Sequence, residues 1–185
     1  MPKKLGCAIH GAGWVAGEHL KAYRANPHCE VVAVSSRRAE GARQCADYAG
    51  CGDAAIYTSL DDLLADDRVD VVSICTPHDL HAEETIKAAR AGKHVLIEKP
   101  LCTTVEDMRA MREAVRGAGV KTLVSFCLRW NPLFNNIRGL LGQGAIGRVF
   151  YAMWDGAQLS DYLDVATQSV RETAELSDGE QALLA

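Results

Sequence analysis

No stretch of ~20 consecutive apolar residues occurs in the chain, so a membrane-spanning helix is not predicted. The basic start Met1-Pro2-Lys3-Lys4 leads into an apolar run with some likeness to a signal peptide. His10, Gly11 and Gly13 interrupt that run, and it reads instead as the first strand of a cytoplasmic protein. Charge of one sign is also missing in excess: with a net charge of −4, nothing points to a nucleic acid or a membrane surface as partner, and neither is expected. The seven cysteines, Cys7, Cys29, Cys45, Cys51, Cys75, Cys102 and Cys127, include no Cys-x-x-Cys and no paired His spacing. Neither a zinc site nor a disulfide framework is predicted, and the thiols read as reduced and buried. Internal repeats and low-complexity linkers are lacking as well.

What is present is an ordinary globular composition, 48% hydrophobic and 24% charged over 185 residues, enough for one domain or one and a fraction. Strand and helix signals alternate. Leu5 to Ile9, Val31 to Val34, Val69 to Cys75, His94 to Ile97 and Thr122 to Phe126 read as strands. Val15 to Ala25, Arg38 to Ala49, His81 to Ala91 and Thr104 to Gly117 read as helices, and Ser59 with Asp61 and Asp62 as the capped start of a short one. Alternation of this kind predicts an α/β fold, a doubly wound parallel sheet of Rossmann type. After residue 124 the rhythm changes: Leu133 to Leu141 reads as a helix and Gly147 to Trp154 as a strand covered on one face. A cofactor-binding domain is expected over 1–124, and the incomplete start of a second α+β domain over 125–185. In the tail, Leu159, Leu163, Ala166 and Val170 have helical spacing, and Ser177-x-x-Glu180 resembles a cap.

Gly11-Ala12-Gly13-Trp14-Val15-Ala16 follows an apolar strand and opens a helix, the setting that makes G-x-G-x-x-A a dinucleotide signature. Gly11 allows the tight turn, Gly13 lets backbone approach a pyrophosphate, and Ala16 lets helix and strand pack closely. Gly11, Gly13, Trp14, Val15 and Ala16 are therefore predicted cofactor contacts, with the phosphates on the free amides of the helix. An NAD-preferring site places a carboxylate at the end of the second strand, but here that strand runs Val34-Ser35-Ser36-Arg37-Arg38. A hydroxyl and guanidinium groups suit a 2′-phosphate, so Ser36 and Arg37 point to NADP(H) over NAD(H). The alternative is that Arg37 and Arg38 are solvated charges at a helix entrance.

Three further segments complete the pattern: Cys-Thr-Pro-His-Asp-Leu-His at 75–81, Gly-Lys-His-Val-Leu-Ile-Glu-Lys-Pro at 92–100, and Arg-Trp-Asn-Pro at 129–132. Together with the glycine turn they resemble the Gfo/Idh/MocA oxidoreductases, over roughly residues 4 to 154. Glu98-Lys99-Pro100 closes a strand, and in an open parallel sheet ligands bind outside the strands' carboxyl ends. Pro100 restricts the backbone of Lys99 and so fixes where its side chain points. A lysine beside a nicotinamide and partly desolvated is suited to proton transfer. The resemblance implies that Lys99 is the catalytic residue, with Glu98 near the nicotinamide or its ribose. Thr76 and Pro77 would line the cleft, with His81 and Arg129 near the cofactor. For His81 a capping or packing role stands beside that reading, for Arg129 a structural salt bridge, and for Lys99 an exposed strand end.

The resemblance also implies hydride transfer between a nicotinamide and a secondary alcohol of a sugar, cyclitol or similar polyol. Family members are much longer, with a second domain carrying Asp-x-Gly-x-His-x-x-Asp. No such segment follows here, and no histidine occurs after His94. The expectation is of a C-terminally truncated enzyme that needs a missing half for turnover; a gene fragment, an early stop, or a split enzyme with a complementing second chain would each account for it. The strand begun near Val149 and left unpaired also invites a second copy. The alternative is a dinucleotide-binding module without turnover.

Overall fold

Ala8 and Ile9 are neighbours in the chain, both fully buried, and they enter different cores, because successive residues of a strand face opposite sides of its sheet. The structure, a computed structural model, describes residues 3–149 and 151. Its elements are β1 (Leu5–His10), α1 (Trp14–Ala25), β2 (Cys29–Ser35), α2 (Ala39–Tyr48), β3 (Ala55–Tyr57), α3 (Leu60–Leu64), β4 (Val71–Ile74), α4 (His81–Arg90), β5 (His94–Ile97), α5 (Val105–Ala118), β6 (Thr122–Val124), a 3-10 turn (Cys127–Trp130) and α6 (Pro132–Gly142). Six parallel strands form one sheet in the order β3-β2-β1-β4-β5-β6. This is the predicted doubly wound α/β fold, with its reversal of strand order between β1 and β4.

Ile9, Val34 and Cys75 pack under the small side chains Ala16, Ala42 and Ala46 of α1 and α2. On the other face Val72, Ile74, Val95 and Ile97 meet Leu63, Ala88 and Met111 of α3, α4 and α5. Alanines at the helix–sheet contacts let the backbones come close, and each buried methylene adds about 0.8 kcal/mol. Ser59 caps α3 by accepting from the Asp61 and Asp62 amides at 3.1 and 3.5 Å, and Thr104 caps α5 by accepting from Asp107 N at 3.0 Å.

The predicted strand Val69 to Cys75 is the fourth strand and not the third, because β3 was not anticipated. Three half-buried residues are too short to reveal a period of two. The other predicted elements up to residue 142 are found with ends shifted by a few residues. Residues 147–149 and 151 form no strand; the rest of the strand expected up to Trp154 and the expected tail features lie outside the described residues. The chain divides into two compact units, Met1–Phe134, which holds the sheet, and Asn135–Ala185. No helix among the described residues is long and apolar enough to cross a membrane.

After α3 the chain is fastened by Asp66, which accepts from Arg68 Nη2 at 2.6 Å, Arg68 Nε at 3.0 Å and Tyr57 Oη at 3.1 Å. The donating guanidinium holds the Asp66 carboxyl down at about 2 from an ordinary 3.8. A carboxyl lowered by folding stabilises the fold above its unfolded value and loses that contribution as pH falls through its folded one. Arg68 is 59% exposed, so solvent screening limits the contribution to on the order of 1 kcal/mol. Asp66→Asn is expected to lower the urea midpoint at neutral pH, with the gap to the wild type closing between about pH 4 and about pH 2. A gap independent of pH would refute the assignment.

Candidate dinucleotide-binding site

The register of the sheet brings the predicted segments to one edge. His10 pairs with Ser35 and with Ile74, Ile74 with Ile97, and Ile97 with Val124, so Gly11, Ser36, Cys75 and Glu98 all emerge at the carboxyl ends of adjacent strands. Gly11 adopts φ +105°, and a Cβ there would lie 2.4 Å from the Cys75 carbonyl oxygen. Only glycine fits, and its amide donates to Ser35 O at 2.9 Å, holding the turn over β2. Gly13 differs: a Cβ there would meet nothing within 4 Å, so the space above it is open. Gly13 is also the N-cap of α1, which has no side-chain cap and no acidic residue in its first turn. Uncompensated amides and the positive helix end beside open space are what a pyrophosphate requires. Ala16 is fully buried beneath them, Trp14 is 65% exposed, and Val15 is partly buried against the core.

Ser36, partly buried, donates its amide to Tyr57 O at 3.2 Å, while Arg37 and Arg38 are exposed and form no ion pair among the described residues. Across the switch point Thr76 Oγ1 donates to Glu84 Oε2, and Pro77 is exposed. Glu98 is buried, with its amide on Ile74 O at 3.0 Å. Lys99 is exposed, its amide donates to Glu98 Oε2 at 3.0 Å, and its ammonium has no partner among the described residues. The Lys99–Pro100 peptide is cis.

His81 is fully buried, with Nδ1 2.8 Å from Pro100 O and Nε2 3.0 Å from Thr76 O. Both partners are carbonyl oxygens, which only accept, so each ring nitrogen faces an acceptor. The ring joins the two strand-end loops and has no edge left for a ligand. His78 packs edge-on to it at 5.7 Å, and burial, with His81 and Lys99 close by, pushes the His78 imidazole below its ordinary value. Arg129 is exposed in the 3-10 turn and makes no ion pair among the described residues.

Three residues of the site were not singled out from sequence. His10, at the end of β1, has Nδ1 2.6 Å from Ser35 Oγ and Nε2 3.1 Å from Glu84 Oε1. Glu84 thereby links His10 and Thr76. His19, one turn beyond Ala16 in α1, places Nε2 3.0 Å from Glu98 Oε1. The available sign for His19 was a polar residue within the apolar stripe of Ala16 and Leu20.

A parallel sheet in this order, with a positive-φ glycine turn into an uncapped helix at its switch point, defines a dinucleotide-binding Rossmann domain. The model of the oxidoreductase family with an NAD-binding Rossmann fold matches residues 5–126. The chain belongs to this Gfo/Idh/MocA family of oxidoreductases. It is 39% identical over 155 residues to the 1,5-anhydro-D-fructose reductase of Ensifer adhaerens, covering 81% of this chain and 44% of that protein. A 3-ketoreductase from Actinomadura kijaniata, solved with TDP-benzene and NADP, is similar with a TM-score of 0.71 at 31% identity, covering 77% of this chain and 44% of that one. The scyllo-inositol dehydrogenase of Lactobacillus casei, solved with NAD(H) and scyllo-inositol, shares the fold at TM-score 0.75 and 22% identity, over 90% of this chain and 50% of that one. The chain thus spans half or less of the length of these proteins.

Proposed function

We propose that the chain binds NADP(H) in preference to NAD(H) and is the cofactor-binding part of a cytoplasmic oxidoreductase acting on a secondary alcohol of a sugar, cyclitol or similar polyol. In this reading residues 1–124 hold the dinucleotide, and the segment from 125 begins the part that meets substrate. The observation that carries it is the unpartnered, exposed Lys99 at the end of β5, on the same sheet edge as the open space above Gly13. Gly11, Gly13, Trp14, Val15 and Ala16 form the phosphate turn, and Thr76 and Pro77 line the cleft. Ser36 and Arg37 take the 2′-phosphate, and Arg129 approaches the cofactor from beyond β6. His81 contributes by holding the Thr76 and Pro100 carbonyls in place, and Glu98 by holding the amide of Lys99.

The nicotinamide, when bound, supplies the hydride acceptor or donor. Oxidation of an alcohol also releases a proton, and the Lys99 amine is the group placed to take it. Reduction runs the same transfer in reverse.

Titration of the purified chain with NADPH and NADH, followed by fluorescence, tests the reading. NADPH is expected to bind tighter by about tenfold or more, the worth of charge-assisted hydrogen bonds to a phosphate, and Arg37→Ala is expected to erase the difference. Equal or tighter binding of NADH would end the preference, and binding of neither would end the proposal.

A further inference from the structure

Each carboxylate oxygen of Glu98 has a hydrogen-bond partner before any ligand arrives. One carboxylate oxygen lies 3.0 Å from His19 Nε2, and the other accepts the Lys99 amide at 3.0 Å. Glu98 and His19 side chains are only 11% and 10% exposed. On the far side of the ring, His19 Nδ1 lies 3.8 Å from Cys75 Sγ at the end of β4. We propose that His19 is a positioning residue for the proton-transfer site: it fixes the Glu98 carboxylate, which in turn fixes the backbone of Lys99. This inference rests on the proposed role of Lys99 and adds a residue to that site.

The direction of the chain of hydrogen bonds follows from its ends. Glu98 Oε1 is a carboxylate oxygen and accepts, so the His19 nitrogen 3.0 Å from it is the donor, and burial keeps the proton on the Cys75 thiol, which can donate to the other ring nitrogen. A neutral imidazole has one donor and one acceptor. Nδ1 therefore accepts from Cys75, and Nε2–H donates to Glu98 Oε1. Glu98 Oε2 then receives the Lys99 N–H. The chain runs from the end of β4 through α1 to the end of β5. It ties the helix whose first amides face the phosphate space to the residue that carries the amine, across 79 positions of sequence.

Two measurements on the ligand-free 185-residue chain decide the matter. Long-range proton–nitrogen correlation of the labelled histidines is expected to show His19 as the Nε2–H tautomer; the Nδ1–H tautomer would overturn the proposal without any variant having to fold. Amide hydrogen exchange is expected to run about tenfold or more faster at Lys99 in His19→Ala, reflecting the lost order of a charge-assisted bond, while amides of β1 and β4 keep their rates. His19→Gln, whose amide can donate to Glu98 and accept from Cys75, is expected to restore protection. A merely structural role would loosen β1 and β4 together with Lys99 and would not be rescued in this selective way; unchanged exchange at Lys99 in His19→Ala would also overturn it. Both readouts are free of dinucleotide, so a wild-type chain that binds neither NADPH nor NADH would end the proposed function and leave this hydrogen-bond chain standing. The converse result would remove His19 and leave dinucleotide binding intact.

Discussion

Gly11→Ala is expected to cost the chain about 3 kcal/mol or more of stability, and dinucleotide binding with it, because strain and overpacking fall on one residue. At φ +105° an alanine is strained whatever the space around it, and here there is none: its Cβ would sit 2.4 Å from Cys75 O and 2.6 Å from Cys75 C. Both are backbone atoms at the end of a central strand, so no rotamer change relieves the contact. Relief requires β1 and β4 to part or the turn to abandon its hydrogen bond to Ser35 O. A domain of this size has a total stability of about 5–15 kcal/mol, so the loss is a large fraction of the whole. Gly13→Ala is the informative contrast. Its φ is −74° and its Cβ would meet nothing, so the urea midpoint is expected to stay in place while NADPH affinity falls, the methyl now occupying the phosphate space. Denaturation together with NADPH titration of both variants reads the two effects separately. A wild-type midpoint for Gly11→Ala, or wild-type affinity for Gly13→Ala, would contradict the geometry.

Lys99→Met is expected to lower turnover by about 10²–10⁴-fold, the usual contribution of a positioned proton-transfer group, in a form of the protein that turns over substrate. Dinucleotide affinity should remain, because Lys99 anchors the local structure through its backbone amide on Glu98 Oε2, which methionine keeps. Stability should stay within about 0.5 kcal/mol, since the replaced ammonium is exposed and has no partner among the described residues. Steady-state kinetics and NADPH titration on one preparation separate these outcomes. Turnover at the wild-type rate would remove Lys99 from the chemistry. Lost affinity would show instead that the ammonium binds the cofactor.

Much of the cofactor side could be read from sequence because its determinants are local. The strand–glycine–helix pattern at Leu5 to Ala25 lies within a few turns of chain, and the backbone freedom that Gly11 needs belongs to glycine alone. Glu98-Lys99-Pro100 could be placed at a strand end because the apolar run before it is short and bounded. The residues that were missed carry weaker local marks. His19 shows only as a polar residue within the apolar stripe of Ala16 and Leu20, and imidazole serves as cap, core residue, ligand or proton carrier, so the stripe does not say which. The role expected for Glu98, near the nicotinamide or its ribose, followed from its place in a motif; its bonds to His19 and to the Lys99 amide could not be read there. The three-residue β3 escaped for another reason, since its strand character comes from pairing with Ala33 to Ser35 and not from its own periodicity.

By itself the sequence determined the order of strands and helices up to residue 142 apart from β3, the glycine turn at Gly11 and Gly13, the placing of Lys99 at a strand end, and the family. Each of these is set by interactions between residues close together in the chain or by the conformational limits of a single residue type. Only the tertiary structure decided which side chains meet at the strand ends: His19 with Glu98 across 79 positions, His10 with Glu84 across 74, and His81 with the Pro100 and Thr76 carbonyls. Hydrogen bonds between side chains depend on where the sheet register and the packing of α1 and α4 deliver them, and that delivery exists only once the chain has folded.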